Sequence, residues 1–357
     1  MTEPTNKREA GRGDSADIRS SKVMRVEFNL GYTCNNNCVF CGEGENRDKF
    51  QKQTKDLLTT ENVKSDISSF ARRGYKHITF LGGEPTIRKD FIEIIDHAKK
   101  EGFDTVFLTT NGRMFSRKSY LKAAISAGLT EICLSLHGAD ASAHDASTRS
   151  PGSFQQIRAA MDNLAEIGKE FSTSTVITKL NYMQMPDMVD LLGAYMTRRI
   201  YIAYPMVTGN ALRLYNDVVV KFSDSRGYVA GAIDNAIRLD RMLTVGHVPF
   251  CQLGGRPGYA DILYWGGEVK RVVKKYRGKG INPDGSIVDR HGASKVKKNV
   301  CRSCMYYFLC EGLDHRYAQR YGGGELEATP GEKITDPEVL KSATHFYNKI
   351  DVPVDKG

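Results

Sequence analysis

From residue 24 onward, short runs of strand-forming residues alternate with longer amphipathic segments. The runs VMRVEFNL (23–30), HITFLG (77–82), TVFLTT (105–110), EICLSL (131–136), STSTVIT (172–178) and IYIAYP (200–205) suit strands buried in a parallel sheet. Between them, residues 60–73, 88–101, 116–127, 153–167 and 184–197 carry helix-length amphipathic patterns. Four of these helices run into Gly74, Gly102, Gly128 and Gly168, where a left-handed C-cap belongs, and a strand follows within a few residues. The result is a repeated βα unit with short, right-handed crossovers. An open doubly wound sheet and a full or partial (β/α) barrel both fit. A complete eight-stranded barrel fits less well, because the rhythm fades after residue 205. Residues 223–245 read as one more helix and a short strand, after which the chain turns basic and glycine-rich.

Composition narrows the class. The 357 residues are 40% hydrophobic and 26% charged, as in an ordinary water-soluble protein. No apolar run approaches the roughly 20 residues that span a bilayer. Residues 1–22 are polar and lack the apolar core of a signal peptide, so they read as a disordered leader and the chain as cytoplasmic. In that reducing setting, clustered cysteines bind metal or do chemistry more often than they form disulfides. The net charge of +9 concentrates at residues 270–298, where ten Lys or Arg side chains face only Asp284 and Asp289. That stretch is either a solvated loop or a patch that attracts a phosphate, a carboxylate or nucleic acid.

Three of the 8 cysteines, Cys34, Cys38 and Cys41, lie in GYTCNNNCVFCGEG (31–44), directly after the first strand. Chemistry in α/β folds gathers at that end of the strands. Three thiolates on one short loop can wrap a single metal centre. Structural zinc wants a fourth ligand, and none lies nearby in sequence. A four-iron, four-sulfur cluster held by three cysteines leaves one iron open to a small molecule.

The C-x3-C-x2-C spacing, with Phe40 before its last cysteine, resembles the signature of the radical S-adenosylmethionine superfamily. GGEP at 82–85, closing the second strand, and SLHG at 135–138, ending the fourth, sit where that superfamily carries its methionine-binding and ribose-contacting motifs. The resemblance covers roughly residues 23–210 and implies a partial six-stranded (β/α)6 TIM-like barrel with a C-terminal auxiliary region. It implies a [4Fe-4S] cluster on Cys34, Cys38 and Cys41 whose open iron chelates S-adenosylmethionine. Reductive cleavage would then give a 5′-deoxyadenosyl radical. Glu84 would hold the methionine ammonium. Gly82 and Gly83 would allow close backbone approach, and Pro85 would fix the turn. Asn111 and Ser135 would contact ribose or carboxylate, and Phe40 would pack near the adenine. The bland alternatives are a turn pair for Asn111–Gly112 and ordinary strand-end polar residues for Ser135 and His137. Cys133 reads as a buried apolar side chain, and His144 as a loop residue.

CRSCMYYFLCEGLDHRY (301–317) supplies Cys301, Cys304 and Cys310, with Cys251 fifty residues upstream. This resembles the SPASM or twitch regions that bind auxiliary clusters, except that Asp314 stands where the fuller motif has another cysteine. One auxiliary [4Fe-4S] cluster is expected, on Cys251, Cys301, Cys304 and Cys310. Structural zinc is an alternative for these four. A second alternative leaves Cys251 free as a hydrogen-atom donor, with Asp314 or a substrate atom completing the cluster.

The expected domains are a leader (1–22), the radical core (23–215), a connecting segment (216–250), the auxiliary cluster region (251–325) and a tail (326–357). The preferred substrate is small, polar and anionic: a sugar, aminocyclitol or nucleotide derivative undergoing oxidation, epimerisation or rearrangement. The alternative is a maturase acting on a ribosomally made peptide, for which the 22-residue leader is short as a recognition domain. A remote third reading is a zinc protein binding nucleic acid. A reducing partner such as flavodoxin or ferredoxin is expected, and neither a membrane nor nucleic acid as a partner.

Overall fold

In the computed structural model, residues 23–264, 269–274 and 295–349 are described. The first half repeats strand and helix: β1 (Val23–Asn29), α1 (Arg47–Thr54), α2 (Thr60–Arg72), β2 (His77–Leu81), α3 (Phe91–Lys100), β3 (Thr105–Thr110), α4 (Lys118–Ser126) and β4 (Glu131–Ser135). It continues through α5 (Ala141–Thr148), α6 (Ser153–Glu166), β5 (Phe171–Val176), α7 (Met185–Gly193) and β6 (Thr197–Ala203). Two short helices, α8 (Gly209–Arg213) and α9 (Tyr215–Val218), lead into α10 (Phe222–Arg238) and β7 (Leu243–Gly246). Then come β8 (Val269–Lys274), β9 (Lys295–Val296), β10 (Leu313–Asp314), α11 (His315–Tyr321) and α12 (Pro337–Lys341).

Strands β1 to β8 form one parallel sheet in the order β7-β6-β5-β4-β3-β2-β1-β8. The expected (β/α)6 partial barrel is present, extended by one strand at each edge. The left-handed glycines after the helices are also as expected, with φ of +84° at Gly74, +85° at Gly102, +112° at Gly128 and +65° at Gly168.

Two differences stand out. His144 lies on a helix, α5, and is buried. Asp140 caps that helix by accepting from the Ala143 N–H at 2.9 Å, but its sequence ASAHDAST has little apolar period to betray it. Within the basic run, residues 269–274 are a strand pairing with β1 rather than a loop, as their three valines permit. Residues 275–294, which hold much of the basic charge, lie outside the described residues, as do residues 1–22.

The sheet has two unlike faces. Val26, Phe28, Ile78, Phe80, Val106, Leu108, Ile132 and Leu134 point to the helices and are almost fully buried. Edge-to-face rings join the layers: Phe28 meets Phe70 at 6.3 Å, and Phe80 meets Phe91 at 6.1 Å. The intervening residues face the lumen and are mostly polar. At its floor Arg199 pairs with Asp261, and both bond the Thr244 hydroxyl. The C-terminal region docks on α10. Tyr317 packs on Phe222 at 4.6 Å, and its hydroxyl accepts from the Phe222 N–H and donates to Glu325.

At the C-terminal end of β2 the backbone returns to the loop after β1. Gly83 N–H donates to Gly31 O at 2.7 Å, and Glu84 N–H to Thr33 O at 2.8 Å. A Cβ on Gly83 would lie 2.1 Å from Thr33 O. Gly83→Ala should therefore cost about 1–3 kcal/mol in urea unfolding, as overpacking does. Gly227→Ala, on the exposed face of α10 with open space around it, should gain about 0.5–1 kcal/mol.

Candidate functional site

The loop after β1 holds its shape by having its carbonyls taken from three directions and its N–H groups from a fourth. Arg47 donates to Asn36 O at 2.6 Å, and Arg113 to Asn35 O and Asn36 Oδ1. Asn210 donates its side-chain N–H to Cys38 O and its backbone N–H to Cys41 O, each at 2.9 Å. From the loop side, Asn37 and Val39 N–H groups reach Thr148 O and Ser147 O on α5. The three asparagines are thus anchors for the thiol loop. Burial raises the Cys38 pKa most, and Cys34 and Cys41 lie close enough that a charge on either thiol would raise it further. Burial likewise raises the Cys34 and Cys41 thiols. Without a bound cation these groups are neutral; iron supplies the charge that would deprotonate them.

Glu84 is buried beside this loop. Its Oε1 accepts from Thr86 N–H at 3.1 Å, Thr86 Oγ1 at 2.6 Å and Thr110 Oγ1 at 2.6 Å; its Oε2 accepts from Asn111 N–H at 2.7 Å. All four donors are neutral, and burial pushes the carboxyl pKa up. Asn111 carries the network back to the cysteine loop: its Nδ2 donates to Asn35 Oδ1 at 2.7 Å. The turn reading of Asn111–Gly112 also holds, with Gly112 at φ +76°. Gly82 and Gly83 serve the approach of two protein backbones, since Cβ atoms there would strike Gly31 O and Thr33 O. Pro85 is buried at the first turn that follows.

Ser135 is half-exposed at the end of β4, and its hydroxyl bonds no described residue. Phe40 packs edge-on against His137 at 4.6 Å. His137 Nδ1 accepts from Val176 N–H at 3.2 Å, which puts its proton on Nε2. His144 Nδ1 accepts from His137 N–H at 3.1 Å; burial holds His137 low and His144 at about 4. Cys133 is buried as expected, but on the lumen side of β4, with its thiol pushed up to about 12 by burial.

The fifty-residue gap closes in space. Cys251, Cys301, Cys304 and Cys310 line one cavity with Phe250, Tyr306 and Leu326. Gly254 and Gly255, at φ +57° and +80°, turn the Cys251 segment toward it. Phe250 N–H points at Cys310 Sγ (3.5 Å), and the Gln252 amide at Cys251 Sγ (3.6 Å). Asp314 does not join them: its Oδ1 caps α11 by accepting from Arg316 and Tyr317 N–H. Among the described residues no three His, Cys, Asp or Glu side chains close on a single metal ion. Both thiol sets have the donor chemistry of an iron–sulfur cluster, which is larger than one ion.

Arg47, Arg113 and Asn210 escaped sequence reasoning because isolated basic and amide residues carry no motif.

Residues 28–192 match the Radical SAM superfamily profile. Over 171 residues the chain is 31% identical to mycofactocin maturase MftC of Mycolicibacterium smegmatis, a match covering 48% of this chain and 42% of that protein. It is also 31% identical to the probable GTP 3′,8-cyclase of Thermoplasma volcanium over 179 residues, 49% of this chain and 52% of that one. The matched region thus spans about half the length of these curated relatives. Crystal structures of Streptococcus suis SuiB share the fold. The S-adenosylmethionine complex superimposes with a TM-score of 0.58 at 20% identity, covering 87% of this chain and 77% of SuiB. The complex with precursor peptide SuiA gives 0.55 at 16%, covering 87% and 75%. No described helix is long and apolar enough to cross a membrane.

Asn210 supports the thiol loop from outside the ligand set. Asn210→Ala should leave all three cysteines in place yet speed iron loss to a chelator about tenfold or more, the usual scale for outer-shell supports. Iron release followed by absorbance measures it.

Proposed function

We propose that the chain, whose residues 28–192 match the Radical SAM superfamily, is a radical enzyme that modifies a peptide. The observation that carries the enzymatic part is the single network joining the three-thiol loop to a buried carboxylate with only neutral partners. Cys34, Cys38 and Cys41 hold the [4Fe-4S] cluster. Glu84 receives the cofactor's ammonium, a cation that offsets its desolvation. Ser135 offers the ribose a hydroxyl that no described residue bonds, and Phe40, backed by His137, gives the adenine an apolar wall. Once bound, cluster and S-adenosylmethionine supply one-electron carbon–sulfur cleavage and with it the means to take hydrogen from an unactivated C–H bond. The four late thiols hold one auxiliary [4Fe-4S] cluster; the cavity they share favours Cys251 as a ligand over Cys251 as a hydrogen donor. A low-potential carrier of the flavodoxin or ferredoxin type supplies the electron.

The peptide assignment is supported by the maturase relative and by the fold shared with SuiB, which has been crystallised with its precursor peptide. It displaces the sugar or nucleotide derivative favoured by the basic segment, whose central residues lie outside the described ones. The second reading, a small-molecule substrate, keeps support from the GTP cyclase relative.

Anaerobic reconstitution tests the assignment. Wild type should hold about eight irons and form 5′-deoxyadenosine from S-adenosylmethionine and dithionite. Replacing Cys34, Cys38 and Cys41 with alanine should abolish that product; undiminished formation would refute the radical reading. Cys251→Ala should lose iron as Cys304→Ala does, and a full iron complement would make Cys251 the hydrogen donor instead. Glu84→Ala should weaken S-adenosylmethionine binding by about ten- to a hundredfold in calorimetry, given roughly 1.5–3 kcal/mol for a charge-assisted contact.

A further inference from the structure

The lumen face of the sheet carries hydrogen-bonding capacity that no described residue uses. Register sets Thr109, Cys133 and Ser172 side by side across β3, β4 and β5, and Ser135 beside Ser174 one step nearer the strand ends. Thr79 on β2 pairs with Phe107, two residues before Thr109, and so shares the same face. The hydroxyls of Thr109, Ser135, Ser172 and Ser174 are half-exposed and bond no described residue. Thr79 is only 6% exposed, yet its hydroxyl also has no partner among them. Unlike the fully enclosed Thr173 hydroxyl, that of Thr79 still reaches the open lumen, where an entering group can pair with it.

The charges around this surface are already answered. Arg199, in register with Ser172, is paired with Asp261, and Glu27, opposite Thr79, is engaged with a partner of its own. Burial holds the Cys133 thiol neutral. What remains, beside the half-buried Phe107 ring, is a neutral surface whose polar groups both donate and accept. Such a surface suits a carboxamide or a hydroxyl. It offers no counter-charge to a carboxylate or ammonium, and an alkyl group would leave its hydroxyls stranded.

We propose that Thr79, Thr109, Ser172 and Ser174, around Cys133, form a specificity subsite for a neutral hydrogen-bonding side chain of the substrate: Asn, Gln, Ser or Thr. This deepens the peptide reading and rests on it. Thr79 lies two residues before Leu81, the last of β2, so the subsite floor is about 7 Å below the strand ends. A side chain anchored there holds its own Cα near the mouth, where Phe40 of the thiol loop packs on His137.

The test uses the reconstituted full chain and a set of pentapeptides differing only in a central Asn, Gln, Ser, Thr, Leu, Asp or Lys. 5′-Deoxyadenosine is measured with each peptide relative to the same protein's peptide-free turnover. Wild type should be stimulated several-fold more by the Asn, Gln, Ser or Thr peptides than by the other three. Thr79→Val and Ser172→Ala should each reduce that preference about three- to tenfold, and Thr79→Ser should restore it. Equal stimulation by all peptides, a preference for Leu, Asp or Lys, or variants that keep the wild-type preference would overturn the subsite while leaving the peptide reading standing. Peptide-free turnover that no peptide raises would overturn the peptide reading and the subsite together.

Discussion

Everything at the mouth of this barrel depends on one buried carboxylate. Glu84 bonds Thr86 on its own segment, and Thr110 and Asn111 at the end of β3. Its backbone N–H, with that of Gly83, is fixed to the loop leaving β1. Three strand ends are therefore held by one side chain and one pair of glycines. Neutral donors ease its burial, but they do not supply the opposite charge that an ionised group in such a place demands. The cysteine loop is bonded to the same network through Asn111 and Asn35.

The thiol loop is held in shape through its backbone. Its carbonyls are occupied by Arg47, Arg113 and Asn210, which come from α1, from the turn after β3 and from α8. Gly209 makes the last of these possible. It sits at φ +51° with its Cα against Gly42 O and Cys41 O, where a side chain would collide. Backbone groups satisfied in this way leave the thiols as the loop's remaining unspent chemistry.

A closed eight-stranded barrel fills its interior with branched apolar layers. Here the helix-facing side alone supplies the core, and the lumen side is lined by hydroxyls, a thiol and paired charges. Stability thus comes from one face of the sheet while the other is left for a ligand. The auxiliary region is fastened separately, through Tyr317 on Phe222 and the Ser223 N–H on Glu325 Oε1. Its four thiols line an apolar cavity, where hydrogen bonds to sulfur carry more weight than they would in water.

The sequence alone determined the alternation of strands and helices, their left-handed glycine caps and the identity of the thiol clusters. These are local: periodicity, φ preference and cysteine spacing act over a few residues. It did not reveal α5, whose apolar period is weak, or β8, hidden in a basic run. Pairing partners far apart in the chain were equally out of reach. Only the tertiary structure carried Cys251 across fifty residues to Cys301, turned Asp314 into a helix cap, and set Arg47, Arg113 and Asn210 around the thiol loop. The lumen face was decided there too. Which side of a strand meets a helix, and which is left open, depends on how the sheet curves and what packs on it, and no single strand's sequence encodes that.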